Sequence, residues 1–111
     1  FVGVIDKIAS ALTQIEGKIA VEGHTDDVPI NTFAYPSNWD LSAARSVSVV
    51  RRMLNISTLR PNRVTASGFA DTRAQAINST AEGRARNRRV EILVRQPLSE
   101  NSTEFLRQAV Q

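Results

Sequence analysis

His24, Asp26 and Asp27 fall within a stretch of four residues, with Asp40 further along, and imidazole plus carboxylates is a donor set that metal sites use. The chain holds only one histidine, however. Catalytic zinc centres usually take three protein ligands including two or more histidines, and a lone histidine at a strand end more often makes a structural hydrogen bond. No metal is therefore expected. Asp26 with Asp27 is a candidate carboxylate pair for acid/base cleavage of a glycan, but neighbours at the end of a strand point apart rather than flank one bond. Serine, histidine and aspartate are all present without any spacing that singles out a triad. Cysteine is absent, which removes thiol nucleophiles, disulfides and thiolate metal sites. The reading is a non-enzyme without a cofactor.

Cationic chemistry is the other prospect. The formal charge is +3, and Arg84, Arg86, Arg88 and Arg89 carry much of it in one short segment. Clustered arginines suit phosphates, which makes nucleic acid a rival partner. Yet Arg89, Glu91 and Arg95 alternate in sign along one stretch, and Phe69 is the only aromatic expected near them for base stacking. No nucleic acid is expected. Taken singly, Asp26 reads as a brace for its loop and Arg45 as an ordinary solvated helix residue. Asn38 suits either N-capping or ligand contact, and Trp39 reads first as a core anchor for the long loop before it.

The elements that must position these residues follow from periodicity. Ile5, Ile8, Leu12 and Ile15 recur at spacings of three and four, predicting a helix over residues 4–15 with Gly17 as its C-terminal cap. Residues 18–24 read as a strand with Ile19, Val21 and Gly23 on one face. Residues 25–38 form a long connection containing Pro29, Pro36, Asp26, Asp27 and Asn31; a loop of that length in a compact domain is often functional. Ser37, Asn38, Asp40 and Ser42 are candidate N-caps for a second helix whose apolar stripe would be Leu41, Ala44, Val47, Val50 and Leu54, with Arg45 flanking it near the loop. Strands are expected over 63–69 and 88–95, the second with Val90, Ile92 and Val94 inward, and a short helix starts near Thr80. Residues 99–111 offer Phe105, Leu106, Ala109 and Val110 as the stripe of a terminal helix. At 111 residues one domain is expected. The element order implies an α+β sandwich in which helices cover one face of a small mixed sheet. Three strands make a narrow sheet, so a further strand ahead of Phe1 is expected, and the chain reads as part of a longer protein. It contains no apolar run long enough to span a bilayer.

Four stretches carry a resemblance: Gly23-His24-Thr25-Asp26; Asn38-Trp39-Asp40-Leu41-Ser42-Ala43-Ala44-Arg45; Gly68-Phe69-Ala70-Asp71; and Glu82-Gly83-Arg84-Ala85-Arg86-Asn87-Arg88-Arg89-Val90-Glu91-Ile92. In order and spacing they resemble the OmpA-like peptidoglycan-binding domain. Asp26-Asp27-Val28-Pro29-Ile30, followed by residues 35–42, is most similar to the C-terminal domain of MotB- and PomB-type flagellar stator proteins. Residues 1–96 would then be the OmpA-like domain, a two-layer sandwich, and residues 97–111 a helical C-terminal extension.

The resemblance implies non-catalytic binding of diaminopimelate in the peptide stem of the wall, with Asp26, Arg45, Thr25, Asp27, Asn38, Leu41 and Arg88 at the ligand. Diaminopimelate carries an ammonium and a carboxylate on one carbon. Asp26 would take the ammonium and the planar guanidinium of Arg45 would grip the carboxylate through two parallel hydrogen bonds, with Arg88 adding a second contact. The resemblance further implies a homodimer in the periplasm, part of an inner-membrane protein working with a stator partner subunit. An outer-membrane-to-wall tether of the OmpA or Pal kind is the alternative, and a wall hydrolase a more distant one.

Overall fold

The computed structural model describes residues 2–97 and 103–110. A first helix, α1 (Val2–Leu12), leads into strand β1 (Lys18–His24), and a second helix, α2 (Asn38–Ile56), follows the long loop. A 3-10 turn at Pro61–Arg63 introduces β2 (Val64–Gly68); α3 (Ala81–Asn87), β3 (Arg89–Pro97) and β4 (Thr103–Val110) complete the chain. The strands form one mixed sheet in the order β2-β1-β3-β4. β1 and β2 are parallel, joined by α2 as the crossover that parallel strands require, while β3 runs antiparallel to both β1 and β4. The α+β sandwich is as expected, with both long helices on one face. No described helix is long and apolar enough to cross a membrane.

Alternation along the strands builds the core. Ile19 and Val21 of β1 lie opposite Val94 and Ile92 of β3, and all four are buried against Ile5, Ala9 and Leu12 of α1 and Val49 and Met53 of α2. Burying an aliphatic side chain of this size contributes about 1.5–3 kcal/mol. α1 stops at Leu12, earlier than periodicity suggested, yet Ile15 still packs on the core from beyond its end. Gly17 consequently caps no helix. It has φ +123° and lies so close to β3 that an added Cβ would sit 2.2 Å from the Arg95 carbonyl oxygen, so it turns the chain into β1 where no other residue fits.

Two expectations are corrected. The terminal helix expected over 99–111 gives way, where that segment is described, to a strand: residues 103–110 pair along β3 from Pro97↔Thr103 to Val90↔Val110, and residues 99–102 and 111 lie outside the described residues. The far edge of β3 presents a row of backbone N–H and C=O groups, and pairing them outweighs a local helical period. The paired segment is the fourth strand of the described sheet.

The second correction concerns α2. Its buried residues are Ser42, Ser46, Val49 and Met53, whereas Leu41 and Leu54 are half-buried and Val47 is exposed. The reason lies in the strands beneath. Gly23 and Gly68 are partners in the β1–β2 register, and α2 rests directly on them: a Cβ on Gly23 would meet the Ser42 carbonyl oxygen at 2.2 Å, and one on Gly68 the Ala43 nitrogen at 2.5 Å. Only small side chains fit such an approach. Serine serves because its hydroxyl finds backbone partners; Ser46 Oγ donates to the Ser67 carbonyl (2.7 Å), and Ser42 Oγ accepts from Ala70 N (3.0 Å).

Candidate functional site

The end of β1, the loop after it, the first turns of α2 and the start of β3 meet at one end of the sheet. Thr25 and Asp26 are buried as they leave β1. Thr25 N donates to the Ala70 carbonyl (2.8 Å) and its hydroxyl to the Asp26 carbonyl (2.7 Å), which fixes the backbone that presents Asp26. Asp26 uses both carboxylate oxygens: Oδ1 accepts from Val28 N (3.1 Å), closing an Asx turn, and Oδ2 accepts from Arg88 Nη1 (2.7 Å). Asn38 Nδ2 donates to the Val28 carbonyl (3.1 Å), tying the two ends of the loop together. Ser37 caps α2: its hydroxyl accepts from Asp40 N and donates to the Asp40 carboxylate at 2.7 Å.

Arg45 projects from the second turn of α2 and is half-buried. Burial first, and the neighbouring Arg88 cation second, push its pKa down from the ordinary arginine value. Among the described residues no carboxylate lies within ion-pair distance of it. The resulting geometry is one acid, Asp26, bound to one guanidinium, Arg88, beside a second guanidinium that lacks an acid. The sequence paired Asp26 with Arg45 and gave Arg88 a secondary part; the structure makes Arg88 the direct partner of Asp26, across 62 positions of chain. Asp27 is exposed, and Leu41 is half-buried, its N–H held by the Ser37 carbonyl. Trp39, expected in the core, is 55% exposed. A cavity of about 910 Å³ lined by Lys18, Leu59, Arg63 and Arg95 lies at the opposite end of β1 and involves none of these residues.

The opposite face of the sheet holds a buried polar network that periodicity alone treated as a solvated side. Arg89 Nε donates to Glu91 Oε2 (2.6 Å), and Arg89 also donates to the carbonyls of Asn87 and Arg73. His24 stacks on Phe69, with Arg73 over the same ring at 3.8 Å. Asn87, fully buried, accepts from Gln75 N and Ala76 N and donates to the Ala76 carbonyl, pinning the loop that covers this face. Glu22, His24 and Glu91 bring ligand-type atoms within 4.8 Å of one another, but Arg89 and Arg73 supply the countercharge to the two glutamates. Three of the four clustered arginines are drawn to separate internal partners, Arg84 to the Asn78 carbonyl, Arg88 to Asp26 and Arg89 to Glu91, while Arg86 is exposed. No local pattern marks Arg89 and Glu91 as buried, because their cover comes from the chain after Phe69, whose Arg73 carbonyl accepts from Arg89.

Residues 3–88 match the OmpA family. The chain belongs to the OmpA family. The match takes in all but the first residue of α1, then β1, the loop, α2, β2 and α3, and it ends at Arg88, so every candidate site residue lies within it. Among relatives of this OmpA-family chain, uncharacterized protein YtxE of Bacillus subtilis is 41% identical over 99 residues, 89% of this chain and 41% of that protein. Motility protein B of the same species is 40% identical over 76 residues, 68% of this chain and 29% of that protein. This chain thus spans well under half of either relative. Among solved structures, the cell wall anchor of the T6SS from Pseudomonas aeruginosa superposes with a TM-score of 0.77 at 47% identity, covering 83% of this chain and 64% of that one.

Proposed function

We propose that this OmpA-family domain binds peptidoglycan without catalysis, holding the diaminopimelate of the peptide stem between Asp26 and the Arg45–Arg88 pair. The observation that carries the reading is Arg45: a half-buried cation, desolvated beside another cation and with no acid within ion-pair distance among the described residues, is complete only when an anion arrives. A carboxylate between two guanidiniums relieves their repulsion and can be gripped through parallel hydrogen bonds. Asp26 keeps acceptor capacity, since each carboxylate oxygen has two lone pairs and each is used once. It can take the ammonium on the same carbon. Asn38 and Thr25 hold the loop in shape, and Asp27 and Leu41 flank the ligand.

Well-formed charged hydrogen bonds contribute about 1.5–3 kcal/mol each, so one domain binds its stem weakly and firm attachment comes from a homodimer on a polymer of repeated sites. The likeness to motility protein B supports a periplasmic stator anchor in an inner-membrane parent with a stator partner subunit. The likeness to a cell wall anchor favours the second reading, a wall tether of another machine or of the outer membrane. One transmembrane helix bearing an acidic residue in the parent selects the stator; a lipoprotein signal or β-barrel selects the tether. Co-sedimentation with purified sacculi tests both: the wild type pellets, Asp26→Ala and Arg45→Ala remain in solution, and no soluble muropeptides are released. Undiminished pelleting of both variants removes the site.

A further inference from the structure

The chain's only tryptophan and only tyrosine, with one of its four phenylalanines, stand within seven positions of one another in the loop and the first turn of α2. All three are on the surface: Phe33 is fully exposed, Trp39 is 55% exposed and Tyr35 37%, with Val28 exposed beside them. Large aromatic side chains left in water at this density mark a contact surface. The stretch is also held in shape. Thr32 N donates to the Tyr35 carbonyl (2.9 Å) and Tyr35 N to the Thr32 hydroxyl (2.9 Å), while the Ser37 cap and the Asn38–Val28 bond fix its far end.

We propose that Phe33, Tyr35 and Trp39 form a stacking platform for the sugar rings of the glycan to which the bound peptide stem is attached; this rests on the peptidoglycan reading above. Three features select a saccharide. The platform is continuous with the stem site, because Asn38 lies next to Trp39 in α2 and bonds the Val28 carbonyl, whose own N–H is held by Asp26. A pyranose presents a face of C–H groups that lies against the electron-rich face of an aromatic ring. Exposed Asp27, Asn31, Thr32 and Asp40 belong to the same stretch of chain and offer partners for sugar hydroxyls. An anionic membrane is disfavoured, because residues 25–44 contain three aspartates and no lysine or arginine.

The test compares two probes: the free diaminopimelate-containing stem peptide and a muropeptide carrying the disaccharide on the same stem. The wild type binds the muropeptide about three- to tenfold more tightly. Trp39→Ala, Tyr35→Ala and Phe33→Ala each reduce that ratio, and the triple variant brings it to one, with stem affinity and melting temperature unchanged. Because Trp39 is the sole tryptophan, its emission shifts to the blue with the muropeptide and not with the stem. Equal affinity of the wild type for both probes, or an undiminished ratio in the triple variant, overturns the platform while leaving the stem site standing. Failure of the wild type to bind either probe overturns both readings. Aromatic-dependent binding to anionic vesicles or to a protein partner, with a probe ratio of one, assigns the surface elsewhere.

Discussion

Arg45 and Glu91 illustrate two fates of a partly or fully buried charge. Glu91 lies against Arg89, and both are nearly inaccessible, so removing the acid leaves an uncompensated buried cation. Glu91→Ala is accordingly expected to lower unfolding free energy by about 3–5 kcal/mol in denaturant titration. Arg45 has Arg88 as neighbour and, among the described residues, no acid within ion-pair distance, so burial and like charge both disfavour its cation in the free domain. Arg45→Met should therefore keep or raise the melting temperature while abolishing sacculus pelleting; a large fall in melting temperature would mark Arg45 as structural. Asp26 and Arg45 were both legible in the sequence as parts of matched motifs. The bond from Asp26 to Arg88 was not, because it depends on β3 lying next to β1, which no local pattern states.

At the scale of elements, β1 was legible to the residue because alternation and flanking turn residues agree there. α2 was legible as a helix, but its buried face was displaced onto Ser42 and Ser46 by contacts with Gly23 and Gly68 that periodicity cannot weigh. Gly68→Ala tests that account: the added methyl meets backbone of α2, and thermal denaturation should show a loss of about 1–3 kcal/mol. α1 and α2 are further joined by Arg52, which donates to both carboxylate oxygens of Asp6 at 2.9 and 2.8 Å. That hydrogen bonding holds the Asp6 carboxyl below its ordinary value of 3.8. A group depressed in the folded state stabilises above its unfolded pKa and loses that contribution as pH falls through the folded one. The melting temperature of Asp6→Asn should thus lie below wild type at neutral pH and converge with it on acidification. A gap that persists in acid would show that the ion pair is not its source.

For the whole molecule, the sheet order puts the C-terminal end of β1, the start of α2 and the start of β3 together, and so assembles one acid and two guanidiniums from distant parts of the chain. The α+β class and the helix-covered face followed from the sequence; the fourth strand did not, since pairing with β3 is a property of the finished sheet rather than of residues 103–110. As proposed, the site recognises an ammonium and a carboxylate on one carbon. Calorimetric titration with two stem peptides, one ending in diaminopimelate and one with lysine in its place, tests it directly, since lysine keeps the ammonium and lacks the carboxylate. The wild type should prefer the diaminopimelate stem by about 10- to 100-fold, and Arg45→Ala should lose most of that preference, Arg88 alone holding the carboxylate. Equal affinity of the wild type for the two stems, or a preference undiminished in Arg45→Ala, would rule out recognition of the carboxylate at this site.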